Sequence, residues 1–476
     1  MIPKSEKKQH YVYSADVAEA QYMHCIQKLA QVLTECYRNF ICSVYTYLVE
    51  QMHLAINQML ECRFTQDLEN DLNLKLVYFY ADEDYELGNF EEARDYYTKV
   101  IALNKTDPHP WTQYAIFLKK IGDIERAKEC CLEAITLNHR HAMALLVYAM
   151  ILFENKEYKE TEIFLRAITY LYPRFFECWT ILHLFFIRTE YYPGIDLTLR
   201  IAKKCMQDKS RTIILDQEPL SWTTIHCPND NVYMTVTTFL LKLNFRELAT
   251  LALAQEMENS GRSMHVLYYM AVEHYMSGKY ENALSHLEEI QCDYGMVYIF
   301  QLSNAKDYSV SSLTGHCYFK IGNTEKAIEC YEFARMLFDR PDDLHLVEVR
   351  LGYYYYDTGN FDRARKIFLS ACKSSPTCLT WLGVGICCYE LNLFHEAEMS
   401  LSEANRINNH NVDVWGYLCL LNMTLERYDE FAQCYTEMIK YQNNLKDRKL
   451  WLRITNLMKA LDYAPPNLKQ ANDGGS

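Results

Sequence analysis

The sequence predicts an all-α fold: a right-handed superhelical solenoid of about ten helix–turn–helix repeats with helical caps. Three observations predict it. The stretch from Lys120 to Cys130 is nearly repeated from Lys320 to Cys330, with further versions from Leu87 to Arg94 and from Gly359 to Arg365. Each copy has a glycine, then Asn or Asp, then an alanine five residues after the glycine. The spacing is regular, with 34 residues from Gly88 to Gly122, 34 from Ala93 to Ala127 and 68 from Trp111 to Trp179. Glycine and proline are scarce, at 15 and 11 in 476 residues, as expected where helices are joined by short turns.

The chemistry of the repeat fits its period. The glycine ends the first helix, where the chain needs a left-handed residue. The alanine sits where the second helix crosses the first and only a small side chain lets the backbones approach. An aromatic two residues after the glycine (Phe90, Tyr280, Phe361) fills the corner. Trp111, Trp179, Trp381 and Trp415 lie four residues into their repeats, and Pro173 and Pro376 stop second helices.

Taken in order, residues 1–73 read as a helical cap or lead-in, with apolar residues at helical spacing from Val17 to Met59. A terminal repeat leaves one apolar face uncovered, so a cap is physically required. Residues 74–209 form a block of about four repeats, in which Lys156 and Glu190 stand where other copies have glycine. Residues 210–229, with Pro219, Trp222 and Pro228, break the period as an inserted loop or a small strand (Thr212 to Leu215). Residues 230–445 hold about six more repeats, interrupted near 291–307. There Gly315, Gly352 and Gly385 are expected at the close approach of paired helices, with Ala327, Ala364 and Ala397 opposite. Residues 446–463 read as a C-terminal capping helix, and 464–476 as a disordered polar tail.

Several positions match in several copies, and on those residues the chain resembles the tetratricopeptide repeat family over roughly 74–441. The resemblance implies that the second, fifth, ninth and twelfth residues of each first helix line a concave groove. In the sixth to ninth repeats these include His265, Tyr268, Tyr275, His316, Phe319, Tyr353, Tyr356, Leu379, Leu382 and Tyr389. An apolar, aromatic groove suits a helical or extended apolar segment of another protein. The alternative is that the chain fills the groove itself. The family's clamp for a C-terminal carboxylate is not supported, because Tyr78 and Asp82 stand at its places in the first repeat.

Composition narrows the function. Net charge is −14 with no basic block, which disfavours nucleic acid and anionic membrane as partners. The longest apolar run, Ala142 to Phe153, is too short to cross a bilayer. The first ten residues lack an apolar signal region, so the 18 cysteines are expected to be reduced thiols in the cytoplasm. Cys130 and Cys131 with His139 and His141, and Cys387 and Cys388 with His395, come nearest to a metal motif. Adjacent helical cysteines point about 100° apart and do not converge, so packing is the expected role. No enzyme, metal or cofactor is expected.

The junctions Leu103 to Pro108 and Leu137 to Ala142, with the long aromatic-rich array, resemble repeat-bearing proteins of the ciliary and flagellar axoneme. That resemblance implies a structural scaffold with axonemal protein partners, and a chain that is a short form or the repeat region of a longer protein. Alternatives are a cargo or assembly adaptor of the intraflagellar-transport or ciliary-coat type, or a regulatory subunit of a soluble enzyme complex such as a ubiquitin ligase.

Overall fold

The structure, a computed structural model, describes residues 71–207, 218–225, 231–295, 307–337, 340–441 and 448–461, with isolated positions between 31 and 44. The chain divides into two units, Met1–Leu76 and Val77–Ser476. The expected lead-in helices, the strand over Thr212 to Leu215, most of the 291–307 interruption and the tail lie outside the described residues.

Among the described residues there are 21 helices. The first four pairs are α1 (Asp71–Leu87) with α2 (Phe90–Leu103), α3 (Pro108–Ile121) with α4 (Ile124–Leu137), α5 (Ala142–Glu154) with α6 (Tyr158–Leu171), and α7 (Phe176–Arg188) with α8 (Tyr192–Gln207). After the irregular segment come α9 (Val232–Lys242) with α10 (Arg246–Ser260), α11 (Met264–Met276) with α12 (Tyr280–Gly295), and α13 (Tyr308–Ile321) with α14 (Thr324–Met336). The last pairs are α15 (His345–Asp357) with α16 (Phe361–Ser374), α17 (Cys378–Glu390) with α18 (Phe394–Ile407), and α19 (Val412–Thr424) with α20 (Tyr428–Lys440). A single helix, α21 (Arg448–Ala460), packs on α19.

All ten hairpins turn through one left-handed residue: Gly88, Gly122, Lys156, Glu190, Asn244, Gly278, Gly322, Gly359, Asn392 or Glu426. In every turn the next amide donates back to the carbonyl five residues earlier, as Asp123 N does to Leu118 O (2.9 Å) and Glu157 N to Leu152 O (2.9 Å). This is the Schellman closure, which satisfies carbonyls that a helix end leaves unpaired. Lys156, Glu190 and Glu426 hold the left-handed conformation without glycine (φ 64, 56 and 59°), a strain the flanking helix packing must overcome. The 34-residue period therefore continues in the backbone where the glycine is gone.

The close approaches fall at the expected glycines, but the residue opposite differs. A Cβ on Gly315 would lie 2.5 Å from the Tyr331 ring, one on Gly352 2.6 Å from Phe368, and one on Gly385 2.7 Å from Leu401. Each partner is four residues beyond the expected alanine, one helical turn along the same face. Ala327, Ala364 and Ala397 are themselves fully buried. Phe368 is also approached from the next repeat, where a Cβ on Gly383 would meet its ring at 2.6 Å. The four repeat tryptophans, Trp111, Trp179, Trp381 and Trp415, stand half-buried at repeat junctions, with Trp179 Nε1 donating to Pro173 O (2.9 Å) and Trp415 Nε1 to Asn409 O (2.7 Å).

Two contacts of long sequence separation tie early repeats to late ones. Glu83 in α1 accepts from Thr377 Oγ1 (2.9 Å) and lies 2.7 Å from His345 Nε2. In α3, buried Lys119 pairs with Glu154 (2.8 Å) and donates to Asn244 O in the α9–α10 turn (3.4 Å).

Candidate partner-binding groove

Part of the expected groove face, in the sixth and seventh repeats, is engaged by the chain itself. In the sixth repeat, Tyr268 is fully buried and its hydroxyl donates to Thr223 O (2.9 Å), while neighbouring Tyr269 donates to Ile225 O (3.3 Å). Both acceptors belong to the irregular segment, whose Trp222 is buried edge-on against Tyr269. The described part of the insertion is thus a packed strap over α11. The reason is local: a chain without helix or sheet leaves its carbonyls unpaired, and two tyrosine hydroxyls supply donors.

In the eighth and ninth repeats, α1 packs against the N-terminal ends of the first helices, beside the expected groove residues. Phe79 packs edge-on to the His345 ring at 4.9 Å, and the Tyr80 hydroxyl donates to Pro376 O at 3.3 Å. Glu83 and His345 are both buried. Burial pulls the imidazole pKa down, but the Glu83 charge and hydrogen bond outweigh it and hold the group above the usual histidine range.

The seventh repeat contributes a second buried polar cluster. His316 Nδ1 lies 2.7 Å from the Tyr331 hydroxyl and 2.6 Å from an Arg350 guanidinium nitrogen, and the guanidinium also lies over the Phe319 ring at 4.5 Å. Burial, reinforced by the Arg350 charge, keeps the imidazole neutral by driving its pKa well below the usual value. A neutral ring offers Nδ1 as the acceptor for both donors.

Of the ten expected groove residues, Tyr268, Tyr275, His316 and Leu382 are buried, and His265, Tyr353, Tyr356, Leu379 and Tyr389 are half-buried. Only Phe319 is exposed, at 39%. The half-buried tyrosines form a row continuing into the tenth repeat: the Tyr356 and Tyr417 hydroxyls are 3.1 Å apart, and the Tyr389 hydroxyl is 3.1 Å from Thr424 Oγ1. Arg453 of α21 covers Tyr389 at 5.6 Å and pairs with Glu390 at 2.6 Å. A different apolar surface, which sequence reasoning did not single out, lies on α6 and α8, where Tyr170 is 87% and Tyr192 74% exposed. Its only signal is apolar residues on the outward side of second helices.

Most of the described thiols lie in the packed interior. Cys131, Cys178, Cys387 and Cys388 are buried, and burial pushes the thiol pKa of Cys130 and of Cys387 up to about 12. His141 Nδ1 accepts from Ala144 N (3.2 Å) as the cap of α5, so it does not face the cysteines of α4 as a ligand. Among the described residues no group of three or more His, Cys, Asp or Glu is set to hold a metal ion, and no helix is long and apolar enough to cross a membrane.

Ten hairpins with one turn geometry, small residues at the crossings and a 34-residue period define the class: a solenoid of tetratricopeptide repeats. Two family models match, the "cilia and flagella-associated protein 70 middle TPR-like domain" over residues 78–190 and the "cilia and flagella-associated protein 70 C-terminal domain" over 244–462. By these repeat domains the chain belongs to the cilia- and flagella-associated protein 70 family. It is 26% identical over 543 aligned positions to the human protein of that name, covering 90% of this chain and 47% of the relative. Against the Macaca fascicularis protein of that name the identity is 27%, covering 90% of this chain and 41% of the relative. The chain thus spans under half the length of these curated relatives. Among solved structures, YrrB, described as a TPR protein with an unusual peptide-binding site, aligns to 43% of this chain at 13% identity, covering 98% of YrrB, with TM-score 0.36.

Proposed function

We propose that this chain is a non-catalytic protein-interaction scaffold of the cilium or flagellum, acting as a structural component of the axoneme. The observation that carries the reading is the match of both repeat blocks to the middle and C-terminal repeat domains of one ciliary family. A repeat solenoid supplies surface rather than catalytic machinery, so its function is the partner it holds. The partners are other proteins, axonemal ones in the first place, bound through helical or extended apolar segments. The groove residues that keep solvent access, Phe319, Tyr353, Tyr356, Leu379, Tyr389 and His265, are the ones available to such a segment. Aromatic anchors of this kind dominate binding energy in comparable contacts.

The test is proximity labelling in ciliated cells together with salt extraction of isolated axonemes. A built-in structural component labels axonemal proteins and resists extraction; the double variant Tyr356→Ala, Tyr389→Ala, shown to be folded by circular dichroism, loses those neighbours. Release at moderate salt with transport or coat proteins identifies a cargo adaptor and overturns the structural role. Recovery of a catalytic partner in fixed stoichiometry, with no axonemal protein, overturns the ciliary reading. Unchanged labelling by the folded double variant overturns the groove.

A further inference from the structure

A groove of about 520 Å³ opens between the second helices α6 and α8, floored by Trp179, Leu182 and Phe186 of α7 and flanked by Tyr170 and Leu197. Its two rims carry equivalent positions of successive repeats. Ile163, Arg166 and Tyr170 on α6 precede Leu197, Arg200 and Lys204 on α8 by 34 residues each, and all six are exposed. Spaced three and four apart, each trio lies along one face of its helix. Ile163 is 66% and Leu197 60% exposed. Apolar groups standing open together beside an apolar recess mark an interaction site.

The charge on these rims says what kind of partner fits. From Ile163 to Phe176 and from Leu197 to Gln207 stand Arg166, Arg174, Arg200, Lys203 and Lys204 with no Asp or Glu, in a chain of net charge −14. Glu160, Glu162 and Asp196 lie nearer the starts of α6 and α8, and Glu162 pairs with Arg166 at 2.7 Å. Glu177 of α7 is buried, and burial raises its pKa to about 8, so it adds no full charge at neutral pH. Among the described residues no ion pair holds Arg174, Arg200 or Lys204. The half-charge at a helix C-terminus acts within the last turn, so it accounts for Lys204 but not for Arg200, which stands farther back in α8.

We propose that this groove docks an acidic amphipathic helix of a partner protein. The apolar residues of that helix, at i, i+3 or i+4 and i+7, enter over Trp179 and Phe186, and its Asp and Glu side chains meet Arg174, Arg200 and Lys204 along the rims. Each rim stripe is about two helical turns, about 11 Å, which a partner helix of about three turns covers. A recess with an aromatic floor favours an inserted helix over a flat bilayer. The surface is separate from the first-helix groove and gives the scaffold a second place to hold a protein.

The experiment is fluorescence anisotropy of the full chain with labelled synthetic peptides. The first peptide carries leucines along one helical face and Glu and Ala elsewhere. The second has Lys in place of Glu, and the third has the residues of the first with its leucines scattered. Saturable binding of the first is expected, with the other two about tenfold weaker. The double reversal Arg200→Glu, Lys204→Glu is expected to make the Lys peptide the tighter ligand, a swap that misfolding does not produce. Ile163→Ser with Leu197→Ser is expected to weaken the first peptide about tenfold. No saturable binding of the first peptide, equal binding of all three, or an unchanged preference in the double reversal overturns the proposal. So does self-association of the chain, or binding to vesicles rich in phosphatidylserine, that is lost in Ile163→Ser, Leu197→Ser, since a second copy or a membrane then covers the face. None of these residues lies in the first-helix groove, so failure here leaves the scaffold reading standing.

Discussion

Glu83 and His345 stand 262 residues apart in the chain and meet as a buried pair, carboxylate oxygen to Nε2 at 2.7 Å. Thr377 Oγ1, 294 residues from Glu83, donates to the same oxygen at 2.9 Å. In a linear solenoid each repeat touches only its neighbours. Here the first repeat also touches the eighth and ninth. Removing one member of a buried pair leaves the other uncompensated, so Glu83→Ala is expected to destabilise by about 3–5 kcal/mol. Urea unfolding checks the energy. Faster amide exchange in α1 and α15, ahead of other helices, checks that the contact is what has been lost.

The same pair sets a pH dependence. The folded pKa of His345 is raised above its unfolded value of about 6.5, so its contribution is fully present below that pH and is lost as pH rises through the folded value. Thermal stability is expected to fall between pH 6 and alkaline conditions, and the fall to be smaller in His345→Asn. An unchanged slope in that variant sinks the assignment.

Glu177 supplies an independent case with the same sign. It is buried in the first turn of α7, its Oε2 has no partner, and burial raises its pKa from 4.5 to about 8. An acid with raised folded pKa is folded in its neutral form, so stability is lost as pH climbs from 4.5 through 8. Glu177→Gln is expected to stabilise the protein by on the order of 2–3 kcal/mol at pH 8, and to leave stability at pH 4 nearly unchanged. Denaturation curves at the two pH values measure the difference.

Turn residues give a prediction of opposite signs at equivalent places. Lys156→Gly, Glu190→Gly and Glu426→Gly each relieve a left-handed side-chain residue and are expected to stabilise by about 1 kcal/mol. Gly122→Ala and Gly322→Ala impose the same strain and are expected to destabilise by a similar amount of about 1 kcal/mol, since nothing lies within 4 Å of an added Cβ at either glycine. Melting temperatures of the five variants should fall into two groups on either side of the parent.

Steric crowding separates another glycine from these. Gly352→Ala places a methyl 2.6 Å from the Phe368 ring, which Gly383 confines on another side. The ring cannot give way freely, so a loss of about 1–3 kcal/mol is expected. Phe368→Leu in the same chain should recover part of it, which a purely backbone effect would not show.

What the sequence determined alone is the repeating unit. Turn glycines, crossing alanines and apolar spacing act over one or two helices, so their chemistry is legible in any single copy. Where a copy lost its glycine, as at Lys156 and Glu426, packing by its neighbours kept the turn left-handed. The tertiary structure alone decided what fills the groove. The resemblance placed Tyr268, Tyr275 and His316 on the first-helix face that lines such a groove, yet the strap at Thr223 and the Arg350 cluster engage that face. Trp222 among prolines was a faint sign that the insertion would pack. Glu83 carried no sign, since a carboxylate in a first helix looks like any solvated charge. Its partners depend on rotation accumulated over many repeats and on irregular spacings, such as those between Glu190 and Asn244 and between Gly278 and Gly322. No local pattern encodes a sum of that kind, and small changes at each junction decide which residues finally meet.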